Sequence, residues 1–232
     1  MFGHTAELYD LFYDWKDYAA ESAKLQQIVA ARAPGARTLL DVACGTGRHL
    51  EHLRSWYEVE GLDLDAGLLE VATKRLASIP LHQGDMRDFD LGHEFDVVTC
   101  LFSGIGYVGT VERLEQAIAT MARHLTPVGI LVVEPWLAPA DFDPNHIGRV
   151  LLVERPGLSA VRMNGSRVEG TLSVLDFHYL IARPGTVEYL TETHSLGLFT
   201  QEQYRSAFER AALGAEYDEE GLMGRGLWTA SR

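Results

Sequence analysis

The chain has 232 residues, 47% of them hydrophobic, enough to bury a large core as one domain with a small subdomain attached. Twenty Lys and Arg stand against 33 Asp and Glu, a formal charge of −13, and no basic run follows the pattern of a phosphate backbone, which argues against nucleic acid as a partner. Two cysteines, Cys44 and Cys100, supply neither a disulfide framework nor paired zinc ligands, so no metal is expected.

Met1-Phe2-Gly3-His4 lacks a basic segment followed by an apolar one, and the apolar runs are too short to span a bilayer. A cytoplasmic protein without a membrane partner is the expectation. Ala6 to Tyr13 places Tyr9 and Tyr13 four apart, on one face of a short helix. That face suits either a lid over a ligand or an aromatic stripe docked in the core. Apolar residues at helical spacing then run from Asp17 to Arg32 and stop at Pro34-Gly35.

Thr38 to Ala43 reads as a strand meeting the turn Gly45-Thr46-Gly47, and Arg48 to Trp56 as the following helix. Glu58 to Asp63 is a second strand ending in an acid, and Ala66 to Leu76 its crossover helix. Strands follow at Leu81–Asp85 and Phe95–Leu101, then a helix at 111–125 and a strand at Gly129–Glu134. Alternating β and α elements predict an α/β fold: a doubly wound, mostly parallel Rossmann-like sheet.

Past Pro135 the texture changes to β-rich stretches at Arg162–Val168, Thr171–Ile181 and Val187–Leu196, joined by Gly and Pro turns. They predict a small antiparallel β insert in the C-terminal half, bounded at 137–196 and serving substrate binding or dimer formation. The core is then 1–136 and 197–232. Gln201 to Ala211 is helical, and Leu227-Trp228 suits a returning strand.

A glycine turn between strand and helix lets backbone N–H groups approach a ligand, because Gly45 and Gly47 carry no Cβ. Alone it is compatible with several nucleotides. Asp63 lies 22 positions after Asp41, at the end of the second strand, where a carboxylate can accept ribose hydroxyls. Asp85 can accept an adenine amino group, and Met86 can pack on the ring. The competing interpretations are a helix cap for Asp63, a turn residue for Asp85 and a core residue for Met86. An acid at Asp41 suits a cationic ligand better than a pyrophosphate, and Leu50 occupies the place a dinucleotide fingerprint gives to Gly or Ala. S-adenosylmethionine (SAM) therefore fits better than NAD.

Leu40-Asp41-Val42-Ala43-Cys44-Gly45-Thr46-Gly47 resembles motif I of the class I SAM-dependent methyltransferases, with Asp63 and Asp85 where that family binds ribose and adenine. The resemblance implies a methyltransferase fold with SAM held by Tyr9, Asp41, Ala43, Cys44, Gly45, Gly47, Asp63, Leu64, Asp85 and Met86. The segments Ala6–Tyr13, Lys16–Glu21, His82–Phe89, Val133–Trp136 and Gly224–Leu227 are similar to the TDP-3-amino-deoxysugar N-methyltransferases of antibiotic pathways. By that resemblance Tyr13 orients the amine, Trp136 and Arg225 meet the acceptor, and Arg225 reaches the phosphates of a nucleotide-linked amino sugar. His178 and His124 are further catalytic candidates, the first against a strand histidine satisfied by a neighbour, the second against a histidine at a helix C-terminus. Trp136-Leu137 stands where the family tends to have Trp-Trp, the stretch 137–161 matches poorly, and Pro127-Val128-Gly129 replaces Pro-Gly-Gly.

The expected activity is N-methylation of a small-molecule amine, an amino-sugar nucleotide being favoured and a glycine- or sarcosine-type amine, or a hydroxyl, the alternatives. A nicotinamide-dependent oxidoreductase and a noncatalytic SAM-binding protein are the competing classes, and a homodimer is an open possibility.

Overall fold

The computed structural model describes residues 6–145 and 148–232. In β1 (Thr38–Val42), Leu39, Leu40 and Val42 are fully buried, as a central strand covered on both faces requires. On one side lie β2 (Glu58–Asp63) and β3 (Leu81–Gln83), on the other β4 (Phe95–Cys100) and β5 (Leu125–Val133), all parallel. β10 (Gly214–Asp218) and β11 (Leu227–Ser231) extend the sheet antiparallel, in the order β10-β11-β5-β4-β1-β2-β3. The order reverses between β1 and β4, and the crevice at the strands' carboxyl ends beside such a reversal is where doubly wound sheets take ligands.

Helices α1 (Ala6–Phe12), α2 (Tyr18–Arg32), α3 (Arg48–Leu53), α4 (Ala66–Arg75), α5 (Val111–Arg123) and α6 (Gln201–Arg210) complete the core. In α5 the apolar spacing buries Leu114, Ala117, Ile118 and Met121, and the Thr110 side chain accepts from the Arg113 N–H to cap the first turn. Asp65 caps α4 by accepting from Gly67 and Leu68 N–H, and Thr200 with Gln203 closes a capping box on α6.

The insert is a four-stranded antiparallel sheet of β6 (Leu151–Arg155), β7 (Leu158–Glu169), β8 (Leu172–Arg183) and β9 (Thr186–Gly197) in chain order. Its inner face, Val153, Ala160, Phe177, Tyr179 and Ile181, packs against Leu8 and Phe12 of α1. The apolar burial holds α1 in place, since seven residues make a helix too short to be stable by itself.

Several elements depart from the sequence reading. β5 begins at Leu125, where a helix end was expected, because pairing with Phe95 draws the segment into the sheet before Gly129. β6 and β10 were not anticipated. Both are five-residue strands whose partners, β7 and β11, supply the pairing that their own composition does not announce. A 3-10 turn at Gly104–Val108 is also new. Among the described residues no helix is long and apolar enough to cross a membrane.

Candidate active site

A cavity of about 390 Å³ opens at the carboxyl ends of β1, β2 and β4. Ala43, Cys44, Gly45 and Thr46 form its floor. Gly45 sits at φ +56 with open space where a Cβ would be, so its peptide is bare toward the cavity. Gly47 does not line the cavity. A Cβ there would come within 2.5 Å of Leu76, so this glycine serves the close packing of α3 on α4. Among the described residues four non-glycines adopt left-handed φ, and three of them, Ala43 (59°), Phe102 (50°) and Ser103 (63°), border the cavity. Backbone strain thus concentrates where a ligand would lie. Glu134 holds the strained turn by accepting from the Phe102 N–H at 2.6 Å, and the Ser103 hydroxyl donates to the Pro135 carbonyl at 2.8 Å.

Asp41 is 1% exposed and accepts the Thr99 hydroxyl at 2.7 Å. Burial lifts its carboxyl to about 7, against the hydroxyl bond that favours ionisation. Asp63 accepts from Gly45 N–H and from Asp65 N–H, both at 2.8 Å. Burial raises its pKa too, with these backbone bonds pulling the other way. Asp65 rather than Asp63 caps α4, so Asp63 fixes the glycine loop to the end of β2. A carboxylate retains lone pairs beyond these two bonds, enough for two hydroxyls. Leu64 lies beside it at the rim, 55% exposed. These features, a bare peptide, a strained floor and two buried acids with spare acceptor capacity, suit a ligand that carries positive charge and a ribose.

At the far wall Asp85 is clasped by Arg87, whose Nε lies 2.9 and 3.0 Å from its two oxygens, and this pairing holds the carboxyl below its ordinary range. Met86 both lines the cavity and packs on the main core.

The other end is aromatic. The Tyr9 and Tyr13 rings meet tilted, with centroids 4.6 Å apart, and Tyr13 meets Phe102 edge-on at 5.2 Å. Tyr9 and Tyr13 line the cavity while Leu8 and Phe12 face the insert, so α1 is lid and core element at once. Trp136 donates its indole N–H to Ser173 Oγ at 2.8 Å. The Arg225 guanidinium lies 5.2 Å from the ring of Phe102 and 5.4 Å from that of Trp136, and donates to Ser103 Oγ at 3.3 Å. The insert adds Leu175, Phe177 and Leu196 to the wall.

Sequence reasoning missed Tyr107, Tyr18, Arg48, His49 and Phe102, all lining the cavity. Tyr107 hydrogen-bonds His194 Nδ1 at 2.9 Å, with His194 buried and its Nε2 3.6 Å from Glu192. Beneath α2, Glu21 is paired with buried Lys16 and lies 3.0 Å from His49 Nε2. The partners in each set are far apart in the chain or not on one periodic face, and no local pattern announces them.

Two catalytic candidates lie away from the cavity. His178 follows Phe177 on β8, and strand alternation turns it to the outer face, where it stacks on Tyr189 with Nδ1 2.5 Å from the hydroxyl. His124 is buried at the end of α5, stacked on Phe89 at 4.3 Å. Its Nε2 accepts from Leu91 N–H at 3.2 Å, which leaves Nδ1–H to donate to the Thr120 carbonyl at 2.9 Å. Both nitrogens are occupied, and the ring serves the fold.

Residues 39–129 match the family model described as a methyltransferase domain. The chain is 44% identical over 231 residues to the dTDP-3-amino-3,6-dideoxy-alpha-D-glucopyranose N,N-dimethyltransferase of Streptomyces fradiae, covering 98% of this chain and 90% of that one. It superposes on the crystal structure of Streptomyces venezuelae DesVI with a TM-score of 0.92 at 43% identity, over 97% of both chains. A SAM-bound amino pentose methyltransferase from Micromonospora echinaspora, involved in calicheamicin biosynthesis, matches at 0.88 and 38% identity over 97% of this chain and 96% of that one. With the acids of the glycine loop, the doubly wound sheet and this full-length likeness together, the chain belongs to the SAM-dependent methyltransferases, in the family of the amino-sugar N,N-dimethyltransferases.

Proposed function

We propose that the protein transfers methyl groups from SAM to the amino nitrogen of a TDP-linked amino-deoxyhexose. One observation carries the reading: a single cavity joins the buried acids Asp41 and Asp63 to the aromatic end bearing Tyr13, Trp136 and Arg225. A cationic methyl donor and an anionic, amine-bearing acceptor fit side by side in it.

SAM supplies an electrophilic methyl on a sulfonium. The protein's part is chiefly placement, and alignment of two reactants can account for several kcal/mol of the barrier. In this reading Asp63 accepts the ribose hydroxyls, the peptides of Ala43, Cys44 and Gly45 border the donor, and Asp85 and Met86 border the adenine. Burial pushes the Cys44 thiol up, which keeps it neutral beside the donor. Tyr9 and Tyr13 cover the donor from α1 and exclude water, and the Tyr13 hydroxyl orients the neutral amine. Arg225 and Trp136 meet the acceptor, the guanidinium pairing with phosphate. The insert is read as lining the acceptor end with its inner face and mediating self-association with its outer face, where Leu152, Met163, Leu180, Val187 and Tyr189 are exposed. A cytoplasmic homodimer is part of the same proposal.

The experiment is incubation with SAM and a TDP-3-amino-deoxyhexose, followed by mass spectrometry of the sugar. The expected result is a gain of one or two methyl groups, with S-adenosylhomocysteine formed in step. Methylation of glycine or sarcosine but not of the sugar would overturn the acceptor assignment.

A further inference from the structure

Arg48 is the first residue of α3, directly after the glycine loop, and lines the cavity. Its guanidinium carbon lies 4.9 Å from the centre of the Tyr18 ring. Its Nε is buried and has no hydrogen-bond partner, and among the described residues no carboxylate pairs with it. A buried guanidinium N–H left unpaired is costly, and a ligand acceptor would relieve that cost. Of the other cations, Lys16 is engaged with Glu21, Arg87 with Asp85, and Arg225 with Ser103, Phe102 and Trp136, while Arg113 stands on the Asp85 side of the cavity.

The adenosine end of the cofactor has its direction set by the acids. With ribose at Asp63 and adenine toward Asp85, the amino-acid tail runs the opposite way, past Gly45 and Thr46 toward Tyr18, Arg48 and His49. That tail ends in an ammonium and a carboxylate. Asp41 suits the first, and a cation is needed for the second.

We infer that Arg48 binds the α-carboxylate of the methyl donor, with the Tyr18 ring holding the guanidinium flat against the cavity wall. This rests on the SAM reading of the same cavity. A planar guanidinium offers donors in a fork that matches a carboxylate, which an ammonium does not.

The test compares two ligands on three proteins by calorimetry: SAM and decarboxylated SAM, on the wild type, Arg48→Gln and Arg48→Lys. Loss of a charge-assisted bond predicts a roughly 10- to 100-fold weaker binding of SAM to Arg48→Gln. Decarboxylated SAM should bind both proteins within about 2-fold of each other, since the deleted group has no partner to lose. Arg48→Lys should recover part of the SAM affinity. Equal losses for the two ligands would overturn the assignment, as would unchanged SAM affinity. A change confined to the KM of the nucleotide sugar would place Arg48 on acceptor phosphate instead. Failure of the wild type to bind SAM at all would strike the parent reading rather than this one. Arg48→Gln keeps a polar side chain of shorter reach but gives up the guanidinium contact with Tyr18, and a circular dichroism melt separates loss of binding from loss of fold.

Discussion

Replacing Asp41 with asparagine should make the empty protein more stable while weakening its hold on SAM. Asparagine keeps an oxygen to accept the Thr99 hydroxyl and exchanges the ionisable oxygen for an amide NH2, which removes the charge. The carboxyl rises from an ordinary 3.8 to about 7 on folding. Its folded pKa exceeds its unfolded one, so the folded state binds the extra proton. Stability from this group is therefore full below the unfolded pKa, falls as pH rises, and reaches its floor above about 7. At about 1.36 kcal/mol per pH unit, the whole penalty is roughly 4 kcal/mol, and roughly 2 kcal/mol of it develops between about pH 5.5 and 8.5. Urea unfolding of the wild type and Asp41→Asn at both pH values isolates it, since every other group titrates in both proteins. The wild type should lose about 2 kcal/mol more than the variant over that interval, and the variant should be the more stable at the higher pH. SAM titration in the same buffers should show wild-type affinity rising as pH passes about 7, as the carboxylate becomes charged, and a weaker, flatter response in Asp41→Asn. Identical pH slopes in both proteins would refute the reasoning.

Asp63→Ala strands the N–H groups of Gly45 and Asp65 and removes the ribose acceptor, so SAM affinity by calorimetry should fall by roughly 1–3 kcal/mol. Unchanged affinity would take Asp63 out of the site. Tyr13→Phe should lower turnover more than SAM affinity in steady-state kinetics, whereas equal losses in both would assign the hydroxyl to packing of the α1 lid over the donor rather than to the acceptor amine. His178→Gln lies on the outer face of the insert and should leave SAM binding and turnover within roughly 0.5 kcal/mol of the wild type, and a tenfold loss of turnover would restore it to the site. Gly47→Ala must hold a left-handed φ of 75° against Leu76, and thermal unfolding should register a loss of about 1–2 kcal/mol.

The β1-turn-α3 unit and β2 with α4 were legible because buried parallel strands and amphipathic helices write their periods into the chain, and Asp63 could be placed from strand order alone. The three long insert strands were readable as strands, although β7 and β9 start four and one residues before their expected beginnings at Arg162 and Val187. What escaped depends on partners distant in sequence. Glu134 reaches Phe102 across 32 positions and Tyr107 meets His194 across 87, while left-handed φ at Ala43, Phe102 and Ser103 has no marker such as glycine. His124 shows the limit plainly. Its place at a helix end was visible, but Phe89 and Leu91, which occupy its ring and Nε2, arrive from another segment.

Strand β8 keeps two separate accounts of natural variation. Leu175 and Phe177 look into the cavity, while His178 and Leu180 look outward, because successive residues of a strand face opposite sides. A point substitution at 175 or 177 reshapes the cavity wall without disturbing the outer surface, and one at 178 or 180 does the reverse. Lineages can therefore diversify the cavity wall and the outer surface on independent schedules. Gain or loss of one residue is another matter, since it would exchange the two faces along the twelve pairs that tie β8 to β9. Length changes among descendants should accordingly gather at the turns around Gly170 and Gly185, and spare the stretch from Leu172 to Arg183.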